Sequence, residues 1–97
     1  MAKLTNTQLK QRIKEYVNDE DILNKIVVLE GDEFASGVVG ITEDYKLVYS
    51  YEKLVKSLTN SYGSEEDAVE WLEYNTLRAI PYMSSDGLLA PVIIHEL

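Results

Sequence analysis

Residues 64–81 read SEEDAVEWLEYNTLRAIP and carry the strongest structural signals in the chain. Ser64 can accept a hydrogen bond from a free amide of a first helical turn, and Asp67 stands three residues later, as in a capping box. The acidic residues after Ser64 suit the positive end of a helix dipole, whereas Arg78 suits the negative end. Pro81 lacks an N–H donor and ends helical propagation. The stretch therefore predicts a helix that begins after Ser64 and ends near Pro81.

Two stripes of side chains follow this predicted helix at helical spacing. The first is apolar or small and should face the core: Ala68, Val69, Leu72, Thr76, Ala79 and Ile80. The second carries two aromatic rings, an amide and a guanidinium: Trp71, Tyr74, Asn75 and Arg78. Because such side chains are enriched at binding hot spots, this second stripe is the candidate binding surface. A structural role is the other interpretation, with the rings at the edge of the core and the polar groups satisfying nearby backbone.

Asn75 interrupts the predicted helix between Leu72 and Ala79. A buried amide without a partner would cost about 1–3 kcal/mol. We therefore expect Asn75 to be hydrogen-bonded to backbone groups of the 82–90 loop or of the preceding helix connection.

The N-terminal part of the chain predicts a helix and then a polar connector. Thr5 and Gln8 form a second capping-box pattern, which places a helix from about Asn6 to Val17. The polar and acidic run at 18–21 indicates a solvated connector, since no loop of alternating oxygen ligands with a glycine and a terminal Glu follows it.

Three β-strands are predicted next, the first two as a hairpin. Lys25–Glu30 and Phe34–Ile41 are rich in β-branched residues and flank a turn of Gly, Asp and Glu. Gly37 and Gly40, inside the second strand, indicate a bulge or a close approach by another element. The third strand is placed at Lys46–Tyr49.

Ser50 then caps a helix, and Gly63 is suited to end it. The inward residues of that helix should be Leu54, Val55 and Leu58. Turn-forming residues fill the connection at 81–89, and a last strand covers Val92–Ile94. Residues 1–97 therefore predict a single α+β domain in the order α-β-β-β-α-α-β. Its sheet is expected to be mainly antiparallel, with the helices packed on one face.

Composition excludes several classes of function. The 97 residues contain no cysteine, which excludes disulfides and thiolate metal sites, and no cofactor is indicated. The formal net charge is −8, most of it in residues 57–97. Since nucleic-acid binding relies on Lys and Arg, direct DNA or RNA binding is disfavoured, and a protein with a basic surface is the expected partner. Acidity that serves solubility alone is the other interpretation.

The chain also lacks the signals of export and membrane insertion. Its N-terminus has no apolar signal-peptide core, and no apolar run reaches the roughly 18–20 residues that span a membrane. We expect a soluble, cytoplasmic protein.

Catalytic and metal-binding patterns are weak. Glu66, Glu70 and Glu73 could act as paired carboxylates, but acid–base catalysis needs an enclosed site, which the sequence does not predict. His95 is the only histidine and has no partner ligand at metal-binding spacing, so a sheet position or a solvent-facing side chain is expected. Ser84 and Ser85 lack the context of a catalytic nucleophile.

Three segments carry a resemblance to a known group of proteins: GIT at 40–42, LVYSYEKLV at 47–55 and EEDAVEWLEYNTLRAIPY at 65–82. In these the chain resembles a family of short uncharacterised proteins encoded by bacteriophages and prophages. The most specific residues are Trp71, Tyr74, Asn75, Thr76, Arg78, Pro81 and Tyr82. The resemblance implies a mobile-element origin and no established activity, so it transfers no site. By analogy of genetic context, such small acidic proteins include inhibitors of host defence proteins, anti-CRISPR proteins among them.

The function predicted first is a non-enzymatic acidic module that binds a host protein in the cytoplasm. Its binding residues would be the stripe Trp71, Tyr74, Asn75 and Arg78 with the carboxylates Glu65, Glu66, Glu70 and Glu73. The alternative is a small enzyme or ligand-binding domain with a pocket near the 82–90 loop. In it, Arg78 would bind an anion and Tyr74 or Tyr82 would donate a hydrogen bond. A self-associating structural protein is the third alternative.

Overall fold

Three short helices precede the sheet in the computed structural model, which describes residues 4–83 and 87–97. They are α1 (Asn6–Tyr16), α2 (Glu20–Lys25) and α3 (Asp32–Ala35). The capping box predicted for α1 is confirmed: the Thr5 hydroxyl accepts from the Gln8 N–H, and the Gln8 side chain accepts from the Thr5 N–H. Local hydrogen bonding therefore sets where α1 begins.

The polar run at 18–21 is solvent-exposed, as predicted, but only its first two residues connect α1 to α2, and Glu20 and Asp21 already belong to α2. Asp19 caps α2, because its Oδ1 accepts from the backbone N–H groups of Asp21 and Ile22. Glu20 and Asp21 then occupy the first turn, where negative charge is favourable. The acidic residues thus start a helix whose Ile22 and Leu23 pack against the core.

The predicted hairpin of Lys25–Glu30 with Phe34–Ile41 is wrong. Residues 32–35 form α3, and 25–30 forms one isolated parallel bridge, between Ile26 and Leu89. The Val27 N–H donates to the Leu89 carbonyl, and the Leu89 N–H donates to the Lys25 carbonyl. The apolar residues of this segment pack against the core without forming a ladder. The observed order therefore begins with three helices, not with a helix and a strand.

The sheet has three strands: β1 (Val38–Ile41), β2 (Leu47–Ser50) and β3 (Val92–Ile94). Their order is β1-β2-β3; β1 pairs antiparallel with β2, and β2 pairs parallel with β3. The sheet is mixed, not mainly antiparallel. β3 runs parallel to β2 because the helical connection between them returns the chain to the end of the sheet where β2 begins. The α+β class is confirmed.

Both roles proposed for Gly37 and Gly40 are present, although Gly37 lies just before β1. The register of β1 against β2 shifts between Val38 and Gly40, which is the predicted bulge. Gly37 lies against the helix that follows β2, α4 (Tyr51–Tyr62): a Cβ atom there would come within 2.5 Å of a Leu54 methyl carbon. Absence of a side chain at Gly37 thus allows a helix to pack closely on the chain entering β1.

The C-terminal half contains α4 (Tyr51–Tyr62), α5 (Glu65–Trp71), a π-helix (Leu72–Leu77) and a 3₁₀ turn (Ile80–Tyr82). Ser50 caps α4, Gly63 ends it in the left-handed conformation at φ 82°, and Ser64 caps α5. All three caps were predicted. The continuous α-helix over 64–81 was not correct, because α-helical pairing ends at Trp71.

One connected core joins the elements. It consists of Leu9, Ile13, Val17, Leu29, Phe34, Ala35, Leu47, Tyr49, Leu54, Val55, Leu58, Ala68 and Leu72. The predicted inward residues of α4 are all in this list. Within the described ranges, no helix has both the length and the apolar character needed to cross a bilayer.

Candidate functional site

The candidate binding stripe lies on the change from α-helix to π-helix. Trp71 ends α5, and Tyr74 and Asn75 lie within the six-residue π-helix Leu72–Leu77. π-Helices are rare and occur frequently at functional sites. The wider π turn breaks the α-helical spacing that the sequence predicts for these side chains.

Asn75 is hydrogen-bonded, as predicted, but its observed partner lies in its own helix, whereas the prediction placed it in the 82–90 loop or the preceding helix connection. Its side chain is exposed, and Nδ2 donates to the Trp71 carbonyl oxygen at 3.0 Å, within its own helix. In an α-helix that carbonyl would pair with the Asn75 backbone N–H. The side-chain amide supplies a competing donor, which is a physical reason for α-helical pairing to end here. Pro81 adds a second, since in a continued α-helix its ring would clash with the carbonyl of Leu77.

Trp71 has a structural side and an exposed side. Its ring centroid lies 5.8 Å from that of Phe34, which is in the core, and 5.8 Å from that of Tyr62, which is half exposed. Both pairs are tilted, a favourable arrangement for aromatic rings. Trp71 therefore packs at the edge of the core, as the structural interpretation expected, and its role in binding stays a prediction.

Tyr74 and Arg78 are exposed and contact each other. Tyr74 keeps 62% of its surface exposed, and the Arg78 guanidinium carbon lies 5.6 Å from the centre of its ring. This is the geometry of a cation–π contact, which holds the two side chains side by side on the surface. Tyr74 is thus available to a partner and is not a core residue.

The four predicted carboxylates are exposed but do not form one cluster. Glu65 lines the groove between α4 and α5, and Glu70 lines a depression beside Trp71. Glu73 borders Arg78. The pKa of Tyr51 is raised first by burial and next by the Glu73 carboxylate. Glu66 is exposed on α5. The acidic residues therefore surround the aromatic stripe on more than one side of the helix.

Sequence reasoning missed Tyr62 and Asp67 as members of the site. Both line the depression that also includes Glu70, Trp71, Tyr74 and Asn75. The signal was present, because Gly63 and Ser64 predict a tight turn between two antiparallel helices. Such a turn places the last residue of α4 next to the first turns of α5.

His95 lies in a second cluster, which the sequence did not indicate. It is exposed just after β3, as predicted, with Nδ1 3.3 Å from the Glu52 carboxylate and its ring 4.6 Å from that of Tyr51. The backbone N–H of Glu96 donates to the same carboxylate at 2.6 Å. These contacts lower the pKa of Glu52, the Glu96 N–H most strongly. The cluster fastens the C-terminal residues to the first turn of α4.

Part of the pocket predicted near Arg78 and the 82–90 loop falls on Ser84, Ser85 and Asp86, which lie outside the described residues. The depression at Arg78 is lined by Glu73 and Tyr74 of the π-helix and by Arg78, which directly follows it. Tyr82, the second predicted donor, is 80% exposed. In the described part of the chain, no group of three or more His, Asp or Glu side chains is placed to hold a metal ion.

Comparison with known proteins assigns no family to this chain. No family model, no curated protein and no solved structure matches the chain.

Proposed function

We propose that this chain is a non-enzymatic binding module that engages a protein with a basic surface through the end of α5 and the π-helix. The observation that carries the proposal is the exposure of Tyr74 beside Arg78 on a π turn surrounded by carboxylates. Tyrosine and arginine are enriched at the centres of interfaces. A solvent-exposed aromatic ring with no role in the core supports a binding role over a structural one.

The charge distribution supports the choice of partner. With a net charge of −8, the protein attracts cationic surfaces and repels nucleic-acid phosphates. Glu65, Glu66, Glu70 and Glu73 are all exposed, so they can accelerate encounter with a basic partner without a large desolvation cost. A basic groove that binds nucleic acid is the surface that this arrangement matches best.

The biological setting belongs to the same proposal and rests on the sequence resemblance alone. The protein is a phage or prophage product that acts in the host cytoplasm. Its partner is a host nucleic-acid-binding or defence protein, which it inhibits by occupying the basic groove, as anti-CRISPR-type inhibitors do.

Charge reversal tests the proposal. A variant with Lys at Glu65, Glu66, Glu70 and Glu73 should lose its partner in affinity capture from host lysate while it keeps a cooperative melting transition. The matched control carries Lys at Glu15, Glu20, Asp21 and Glu43, which are exposed elsewhere. Both variants have a formal net charge of zero, and each places two reversals in the first turn of a helix. Equal retention of the partner by both variants would refute the proposed surface.

A further inference from the structure

An open cup with aromatic walls lies beside the turn between α4 and α5. Tyr62 ends α4, Trp71 ends α5, and Tyr74 follows in the π-helix. These three rings line a depression of about 430 Å³ together with Asp67, Glu70 and Asn75. Tyr62 and Tyr74 keep 46% and 62% of their surfaces exposed, so their rings are accessible from solvent. We call this depression the aromatic cup.

The walls of the cup favour a cation. The face of an aromatic ring carries partial negative charge, and two carboxylates, Asp67 and Glu70, lie among the lining residues. No Lys or Arg is among those residues. An anion would be repelled, and a wholly apolar group would remove water from two carboxylates without compensation. An ammonium or guanidinium group gains from both the rings and the carboxylates.

The molecule already contains one contact of this kind. Arg78 lies over the ring of Tyr74 but does not line the cup. The exposed ring of Tyr74 thus attracts a cationic side chain at this position of the helix, next to the cup.

We propose that the aromatic cup binds the side chain of a lysine or arginine of the protein partner. This inference rests on the proposed function and specifies its anchor: one cationic side chain packs against the exposed parts of the rings that line the cup, with its charge towards Asp67 and Glu70. The stem of a lysine is apolar and packs on the rings, while its charged end stays near the carboxylates.

Trp71 provides a direct probe, because it is the only tryptophan in the chain and lies in the cup. The acetylated and amidated peptide Gly-Lys-Gly is titrated through the millimolar range at constant ionic strength while Trp71 fluorescence is recorded. The same peptide with arginine serves as a second ligand, and one with norleucine, which has the stem without the charge, serves as the control. We expect a saturable change with lysine and arginine only; equal responses to lysine and norleucine would overturn the proposal.

Substitutions locate the response. Glu70→Gln and Tyr74→Leu should each weaken the binding of the lysine peptide about threefold, as expected for exposed cation–π and charge contacts. The matched controls are Glu15→Gln and Tyr16→Leu on α1, where Tyr16 is 64% exposed. A lysine response that neither cup variant reduces would place the binding elsewhere and overturn the assignment.

A free ammonium compound could offer the same chemistry as a protein side chain, so choline forms a separate arm. A response to choline without one to the lysine peptide would overturn the assignment to a protein partner.

Capture of the protein partner distinguishes failure of the cup from failure of the proposed function. Loss of partner capture in Tyr74→Leu supports the cup as the anchor, whereas capture that survives Tyr74→Leu but not charge reversal refutes the cup and leaves the acidic surface intact.

Discussion

Gly37 is required by packing and not by backbone conformation. A Cβ atom at this position would lie 2.5 Å from Leu54 Cδ2 and 2.9 Å from Leu54 Cγ, and Leu54 is fully buried. We therefore expect Gly37→Ala to lower the free energy of unfolding by about 1–3 kcal/mol, the usual cost of overpacking a core. Urea denaturation measures the change. Gly40→Ala is the control, because among the described residues no atom other than those of its chain neighbours lies within 4 Å of the added carbon. An equal loss there would contradict the packing argument.

Tyr49 joins the sheet to the extended segment before α3. Its ring is fully buried, and its hydroxyl oxygen accepts a hydrogen bond from the Leu29 N–H at 3.0 Å. Tyr49→Phe keeps the ring but leaves that buried N–H without its acceptor. We expect a loss of about 1–3 kcal/mol in the free energy of unfolding, at unchanged slope in urea. Tyr16→Phe on the surface should be close to neutral; equal effects would mean that the Leu29 bond contributes nothing.

The ionisation of Tyr49 gives this prediction a second measurement. Burial raises the pKa of its phenol to about 12, so the folded state holds this proton more tightly than the unfolded state does. The resulting stability is present below pH 10 and is lost as the pH rises towards 12, because the unfolded chain ionises first. Between pH 10 and about 12, the free energy of unfolding of Tyr49→Phe should therefore fall less steeply than that of the original protein.

At the scale of elements, local hydrogen bonds set where the C-terminal helices begin and end. The Ser64 hydroxyl accepts from the Asp67 N–H at 3.1 Å, and no side chain caps the π-helix that follows α5. Ser64→Ala should lower the free energy of unfolding by about 1 kcal/mol, the usual cost of losing an N-cap. Ser61→Ala, exposed within α4, is the control and should be neutral or slightly stabilising. Thermal denaturation compares the two variants. A Ser64→Ala variant as stable as the original protein would show that the cap is dispensable.

At the scale of the whole molecule, two carboxylates connect distant parts of the chain. Glu30 binds the Lys10 ammonium at 3.1 Å and the Asn6 amide at 2.7 Å, while Glu52 accepts from the Glu96 N–H. The pKa of Glu30 is lowered mainly by Lys10, and that of Glu52 mainly by the Glu96 N–H. Because the folded-state pKa of each group lies below its ordinary value of 4.5, both carboxylates stabilise the fold above pH 4.5. This stabilisation is lost as the pH falls through the folded-state pKa.

The double variant Glu30→Gln, Glu52→Gln should therefore lose stability less steeply than the original protein below about pH 4.5. Protonation of other carboxylates also relieves the repulsion from a net charge of −8, so the measured quantity is the difference in slope between variants. Glu15→Gln, Glu43→Gln changes the charge equally and serves as the control. Identical slopes in urea titrations of both double variants would rule out a special role for Glu30 and Glu52.

Local signals in the sequence determined much of this fold. The capping box at Thr5, the N-caps at Ser50 and Ser64, the helix end at Gly63 and the strand at 92–94 all appear as predicted. Each depends on residues a few positions apart, so the sequence contains all the partners. The inward positions of α4 follow for the same reason, because helical spacing alone places them on one face.

Only the tertiary structure decided the remainder. The apolar segment 25–30 suits a strand, yet its pairing depended on Leu89, more than 60 residues away, and α3 took the place of the predicted partner. The parallel pairing of β3 followed from the path of the intervening helices. The aromatic cup likewise joins the ends of two helices with a π turn whose wider spacing α-helical periodicity does not predict. Contacts between distant residues depend on how all elements pack together, and a local pattern does not contain that information.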